Sequence, residues 1–236
     1  MSNCNNLFQQ FNQAISPGSA RIDKLTASRE ALKNKIIQSF KEKPGYKVPD
    51  FYIQGSYKMD TMIVKKDGTY DVDLGIYFKE KPMVTCTTVM THVIDAVRNH
   101  TTGGAQHRER CIRVIYAGEY NIDLPVYFQG PYESKAKMAI KNGDWRTDDP
   151  EEFVLWFNKR KDTKGQLLRI VKYLKRWASE RGFKMPSGVA LTVWAAEKFY
   201  ASDGRDDFAL YPSGEPHPLG FSGPGSPRLP FEEKLI

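Results

Sequence analysis

The sequence predicts an α+β fold, a mixed sheet backed by helices and followed by a helical lobe. Two observations carry this. Runs with strand character at 50–54, 70–78, 111–117 and 120–128 alternate with helical periodicity through the first 130 residues. Residues 150–200 then carry helical patterns and almost no strand signal. The length supports it: 236 residues, 40% hydrophobic, can bury a core without disulfides or a structural metal.

Taken in order, residues 21–40 form a helix, because Leu25, Leu32, Ile36 and Phe40 recur at helical spacing and Lys43, Pro44 and Gly45 stop it. Residues 50–54 form a short strand that runs into Gly55 and Ser56, which open a helical turn or a loop. Residues 70–78 begin with polar and apolar positions alternating and end fully apolar, the pattern of a strand with a buried second half. Residues 86–99 place Val89, Val93 and Val97 on one helical face. Gly118 and Glu119 mark a hairpin turn between the strands 111–117 and 120–128. Further on, Leu167, Val171, Leu174 and Ala178 form an apolar stripe, with Arg169, Lys172 and Arg176 on another face. Pro186 and Ser187 start one more helix, with Val189, Val193 and Ala196 expected inward. From Pro212 onward six prolines and four glycines fall within 25 residues and periodicity is lost.

Composition narrows the function classes. The formal charge is +7, from 35 basic against 28 acidic residues, which suits an anionic partner. Ten basic and two acidic residues between Lys159 and Lys184 make the strongest local positive field. Cys4, Cys86 and Cys111 are too few and too scattered for a disulfide framework or a zinc motif, and Cys111 is expected as a small core residue. The first sixteen residues are polar and lack the basic start and apolar stretch of a signal peptide. No run reaches the length of a membrane span, so a cytoplasmic protein without membrane attachment is expected.

The chemistry concentrates around Asp71 and Asp73. Two residues apart on a strand, they point to the same face. Such pairs are also common at solvated strand ends, but this one is flanked by Val72, Leu74 and Ile76, and burying carboxylates without compensation is costly. Asp123 lies in a second apolar strand. If the two strands pair, three carboxylates converge, and an oxygen-only set suits Mg²⁺ or Mn²⁺. Gly55 and Ser56 are an ordinary turn or cap on one reading and a phosphate cradle on the other. Lys172 is part of a solvated face or a phosphate contact, and Ser187 a helix cap or a second such contact. Tyr116, Tyr200 and Tyr211 could stack on a base, or serve in core or surface.

The order of these parts resembles a known family. Gln54, Gly55, Ser56 and Tyr57 come first, with Thr61 just after, then Asp71, Val72 and Asp73, then Asp123. The run from Arg169 to Trp177 follows, and Pro186 and Ser187 close the set, with a linker-like segment at 143–150. This pattern, over roughly residues 20–211, is similar to the polymerase-β-like nucleotidyltransferases, and within them to the bacterial cGAS/DncV-like nucleotidyltransferases (CD-NTases) of anti-phage signalling.

The resemblance implies an active site in the cleft between a catalytic lobe and the helical lobe. Asp71 and Asp73 would bind two Mg²⁺ or Mn²⁺ ions. Asp123 would bind the ion that activates the acceptor hydroxyl. Gly55 and Ser56 would hold the donor triphosphate, and Lys172 and Ser187 would contact it from the helical lobe. The implied reaction is attack of a ribose hydroxyl on an NTP α-phosphate, repeated and closed into a cyclic oligonucleotide, with ATP among the substrates. Regulatory proteins of the same defence system are implied partners, and nucleic-acid binding is left open. Alternative readings are a nucleotidyltransferase making linear oligonucleotides or modifying RNA, protein or a small molecule, and an inactive nucleotide-binding module.

The expected division is a polar N-terminal segment at 1–20, a catalytic lobe at 21–145, with packing of its N-terminal helix on the helical lobe as the alternative, a helical lobe at 146–211 and a Pro/Gly-rich tail at 212–236. The family generally continues into another helical segment beyond the equivalent of Tyr211, so the tail is expected to mark a short variant or a truncated chain.

Overall fold

A computed structural model describes residues 3–210, and the Pro/Gly-rich tail and Tyr211 lie outside the described residues. Among the described residues two compact units are present, residues 17–156 and residues 3–16 with 157–210. The boundary therefore falls at Trp156/Phe157, inside a helix, rather than at 145/146, and residues 3–16 group with the second unit.

The larger unit contains helix α2 (Ser19–Lys41), strand β1 (Asp50–Gln54), the short α3 (Gly55–Lys58), β2 (Tyr70–Phe78), α4 (Cys86–Val97) and β3 (Ala105–His107). It continues with β4 (Ile112–Tyr116), β5 (Tyr120–Leu124), β6 (Val126–Phe128), β7 (Lys137–Met138) and β8 (Arg146–Thr147). One mixed sheet includes all eight strands. β2 is its spine, antiparallel to β1 on one side and parallel to β5 and then β6 on the other. A parallel pair needs a crossover, and α4 lies in the connection from β2 to β5.

The strand expected at 120–128 is interrupted at Pro125, which has no N–H to give to a ladder. Its carbonyl still accepts from the Ile76 amide at 2.9 Å. On the outer side the partner changes at this point from β4 to β7.

Alternation along β2 sorts the unit into two faces. Tyr70, Val72, Leu74, Ile76 and Phe78 are all buried in a core shared with Leu25, Leu32, Ile36 and Phe40 of α2 and Val89, Val93 and Val97 of α4. Each such side chain contributes roughly 1.5–3 kcal/mol by leaving water. Asp71, Asp73 and Tyr77, on the alternate positions, are only partly buried. Thr85 caps α4 by accepting from the Thr88 amide at 3.1 Å. α2 thus packs within the sheet unit.

The second unit is helical. It holds α1 (Asn5–Ile15), the last residues of α5 (Pro150–Asn158), α6 (Gln166–Ser179), α7 (Gly188–Lys198) and α8 (Asp206–Leu210). The N-terminal segment is polar in composition but folds as a helix, with Phe8 and Phe11 against the Tyr173 ring and Ile15 buried. Leu167, Val171 and Leu174 of α6 are buried, and Ala178 partly so. On α7 the buried side chains are Leu191, Thr192, Trp194 and Ala195, and Val189 is 57% exposed, so the expected inward face is the wrong one. Asp206 is completely buried. Its carboxylate accepts from Arg169 Nε at 2.7 Å and Nη2 at 2.8 Å, from Tyr173 Oη at 2.8 Å and from Gln9 Nε2 at 3.0 Å. The Asp206 amide donates to Asn5 Oδ1. Among the described residues no helix is long and apolar enough to cross a membrane.

Candidate active site

The parallel pairing of β2 and β5 decides where the acidic residues meet. In that register Asp71 lies opposite Asn121 and Asp73 opposite Asp123. All three aspartates occupy positions of one parity on adjacent strands and so share the face that α2 and α4 leave uncovered. The sequence-based expectation that these strands pair is met.

Cations and an amide hold the Asp71 and Asp123 carboxylates. Asp123 receives a bidentate pair from Arg113, Nε to Oδ1 at 2.7 Å and Nη2 to Oδ2 at 2.6 Å. The Arg113 guanidinium also stands 3.6 Å from Asp71. Asp71 accepts from Lys65 and, at 2.9 Å, from Asn121 Nδ2. Burial alone would raise the Asp71 carboxyl, but the Lys65 and Asn121 hydrogen bonds and the nearby positive charges outweigh it and hold it below its ordinary value. Arg113 is driven above its ordinary value by the hydrogen bond to Asp123, against the opposing effect of burial.

Gly55 closes the other side of Asp73. Its φ is +62°, a conformation that glycine adopts without steric cost. A Cβ there would run into Asp73 Oδ2 and stand 3.2 Å from Cγ. The Gly55–Ser56 turn therefore lies directly against the Asp73 carboxylate. Ser56 is half-buried, and its carbonyl accepts from the Thr61 amide at 2.9 Å, with Thr61 itself fully buried.

The remaining expected residues lie outside the acidic cluster or at its edge. Lys172 and Ser187 belong to the helical unit. Lys172 Nζ donates to Ser16 Oγ at 3.1 Å, and Ser187 caps α7 by accepting from the Ala190 amide at 3.1 Å. Cys111 is not a core residue. It is half-buried against Asp123, and burial first, then the Asp123 charge, push its thiol up to about 12, which keeps it protonated and unreactive at neutral pH. Tyr116 is stacked on Tyr120 with centroids 4.5 Å apart and packs on the core, while Tyr200 is exposed.

Three residues that touch the acidic cluster, Arg113, Lys65 and Asn121, were not picked out from sequence. Arg113 had a signal: a lone charge inside the apolar run Ile112–Tyr116 needs a partner.

Three carboxylates on one face of the sheet are the oxygen donors that a hard divalent cation takes, and the Cys111 thiol beside Asp123 stays protonated and is a poor ligand for such an ion. As the side chains stand, they are turned to Arg113 and Lys65, and among the described residues no group of three or more His, Cys, Asp or Glu is arranged around a common metal position.

Known proteins resemble this chain in sequence and fold. Residues 49–127 match the family model for the nucleotidyltransferase domain of cyclic GMP-AMP synthase DncV-like proteins. A curated cyclic GMP-AMP synthase of Escherichia albertii is 26% identical over an alignment covering 89% of this chain and 52% of that protein. The chain thus spans about half the length of this curated relative. The fold is that of Escherichia coli DncV in its 3′-deoxy GTP bound form, with a TM-score of 0.72 at 18% identity over 81% of this chain and 71% of that one. Bradyrhizobium diazoefficiens CD-NTase CdnG in complex with GTP is similar at a TM-score of 0.69 and 16% identity, over 84% and 71% of the two chains.

Proposed function

We propose that this chain, whose residues 49–127 match the DncV-like nucleotidyltransferase domain, is a cGAS/DncV-like nucleotidyltransferase that joins nucleoside triphosphates into a cyclic oligonucleotide signal of bacterial anti-phage defence. The observation that carries the reading is the register that sets Asp73 opposite Asp123 and Asp71 on the same face. Two relatives of the same fold are described as bound to 3′-deoxy GTP and to GTP, which supports NTP substrates.

In the proposed reaction a ribose hydroxyl attacks an NTP α-phosphorus, the bond to the bridging oxygen of pyrophosphate breaks, and pyrophosphate leaves with its electron pair. Asp71, Asp73 and Asp123 would hold Mg²⁺ or Mn²⁺, which supplies charge to polarise the hydroxyl and to stabilise the leaving pyrophosphate. Asp123 takes the hydroxyl proton. The Gly55 backbone and the Ser56 hydroxyl would hold donor phosphates beside Asp73. This chemistry consists of positioning and electrostatics and needs no covalent enzyme intermediate.

The test is incubation of the protein with all four NTPs and Mg²⁺ or Mn²⁺, with products identified by mass spectrometry. A phosphatase-resistant cyclic product that vanishes in Asp71→Asn/Asp73→Asn is expected. Linear or macromolecule-linked products would overturn the cyclase reading and keep the transferase, and the basic run from Lys159 to Lys184 would then favour a nucleic-acid acceptor. No turnover with either metal would overturn both.

A further inference from the structure

We propose that Arg113 is the resident counter-cation of the carboxylate cluster, and that it alternates with a divalent metal ion at Asp123. The inference rests on the reading of this cluster as a metal site. The β4–β5 register sets Arg113 directly opposite Asp123, so the pairing is built into the sheet rather than made by a wandering side chain. The guanidinium covers both carboxylate oxygens in a fork, the strongest geometry an arginine offers a carboxylate. The two side chains are only 18% and 13% exposed, so solvent screens the pair far less than a surface bridge.

Charge balance gives this pairing its consequence. Three carboxylates on adjacent strands repel one another. Arg113 and Lys65 supply two positive charges to that group, Arg113 at Asp123 and within 3.6 Å of Asp71, Lys65 at Asp71. A divalent ion brings two more charges to the same oxygens. It meets a carboxylate that is already neutralised and a guanidinium that repels it. For Asp123 to serve as a ligand, the Arg113 fork must open. Metal entry therefore costs the protein an ion pair, and Arg113 sets how readily the cluster loads. Arg113 is a positioning residue here, acting through Asp123.

The test is Mn²⁺ binding by isothermal titration calorimetry, without nucleotide. Arg113→Gln should bind Mn²⁺ about tenfold tighter than wild type or better, because the competing charge-assisted bonds are worth at least that factor. Arg113→Lys keeps the charge but loses the fork and should fall between the two. In an Asp123→Asn background the change from Arg113→Gln should disappear, which a general loosening of the sheet would not produce. Thermal unfolding gives a second readout: the metal-free Arg113→Gln protein should melt lower than wild type, and Mn²⁺ should raise its Tm by more. Unchanged or weaker Mn²⁺ binding in both Arg113 variants, beside a wild type that binds, overturns the exchange and leaves the metal site standing. A wild type that binds no Mn²⁺ overturns the metal site and the exchange with it.

Discussion

Replacing Gly55 by alanine should cost activity far out of proportion to stability. Two effects are built into the position. The first is backbone strain: φ is +62°, and an L-residue pays roughly 1–2 kcal/mol in the left-handed region. The second is the collision of the new methyl with Asp73 Oδ2. That oxygen is the end of a side chain, so the clash can be relieved by rotation at little cost to the fold. The rotation moves a carboxylate of the proposed catalytic set by on the order of 1 Å, and misplacement of that size costs about 10²-fold in rate. Gly68 separates the two effects. Its φ is +82°, and a Cβ there meets nothing within 4 Å. Gly68→Ala should lose a similar 1–2 kcal/mol in urea unfolding and keep its turnover. Pyrophosphate release from NTPs, measured beside urea titrations for both variants, makes the comparison. Equal activities in the two variants would refute the claim that the Gly55 turn positions Asp73.

Other outcomes follow from the same structure. Asp206→Ala leaves Arg169 buried without its partner and should cost about 3–5 kcal/mol, a fall in Tm on the order of 10 °C. A loss under ~1 kcal/mol, followed by circular dichroism, would show that the hub is not holding the helices. Asp71 has a folded carboxyl below its ordinary value of 3.8, so its stabilising contribution is complete above that pH and is lost as pH falls through the folded value. The stability of wild type relative to Asp71→Asn should therefore decline on acidification below about pH 4. A gap that widens instead would mean that the neighbouring cations do not stabilise the ionised form.

Much of the sheet unit was legible because β2 is amphipathic in a simple way. Period-two alternation sorted Asp71 and Asp73 to one face and Val72 and Leu74 to the other, and no tertiary information was needed. That Asp73 faces Asp123 required a guess about strand pairing, which the apolar character of both strands favoured. The Arg113 pair was hidden because the partners are ten residues apart across a hairpin, and the pairing emerges only with the register. On α7 the run from Val189 to Ala196 is apolar on nearly every side, so spacing could not phase the helix and the inward face was misjudged. The strand break at Pro125 had a clear local signal in the proline itself.

The buried Asp206 hub ties the order of synthesis to the order of folding. Asn5 and Gln9 leave the ribosome early, yet the carboxylate and backbone amide they bond to come 190 or more residues later. At roughly 5–20 residues per second, the first helix waits on the order of ten to forty seconds for its partner. The sheet unit, a continuous stretch from 17 to 156, has all its strands in hand well before then. For most of this interval the rings of Phe8 and Phe11 lack Tyr173, and α1 is exposed to whatever else in the cell binds an amphipathic helix. A tag or fusion that occupies α1 during translation would thus act on residues two hundred positions away, at the moment the helical unit closes.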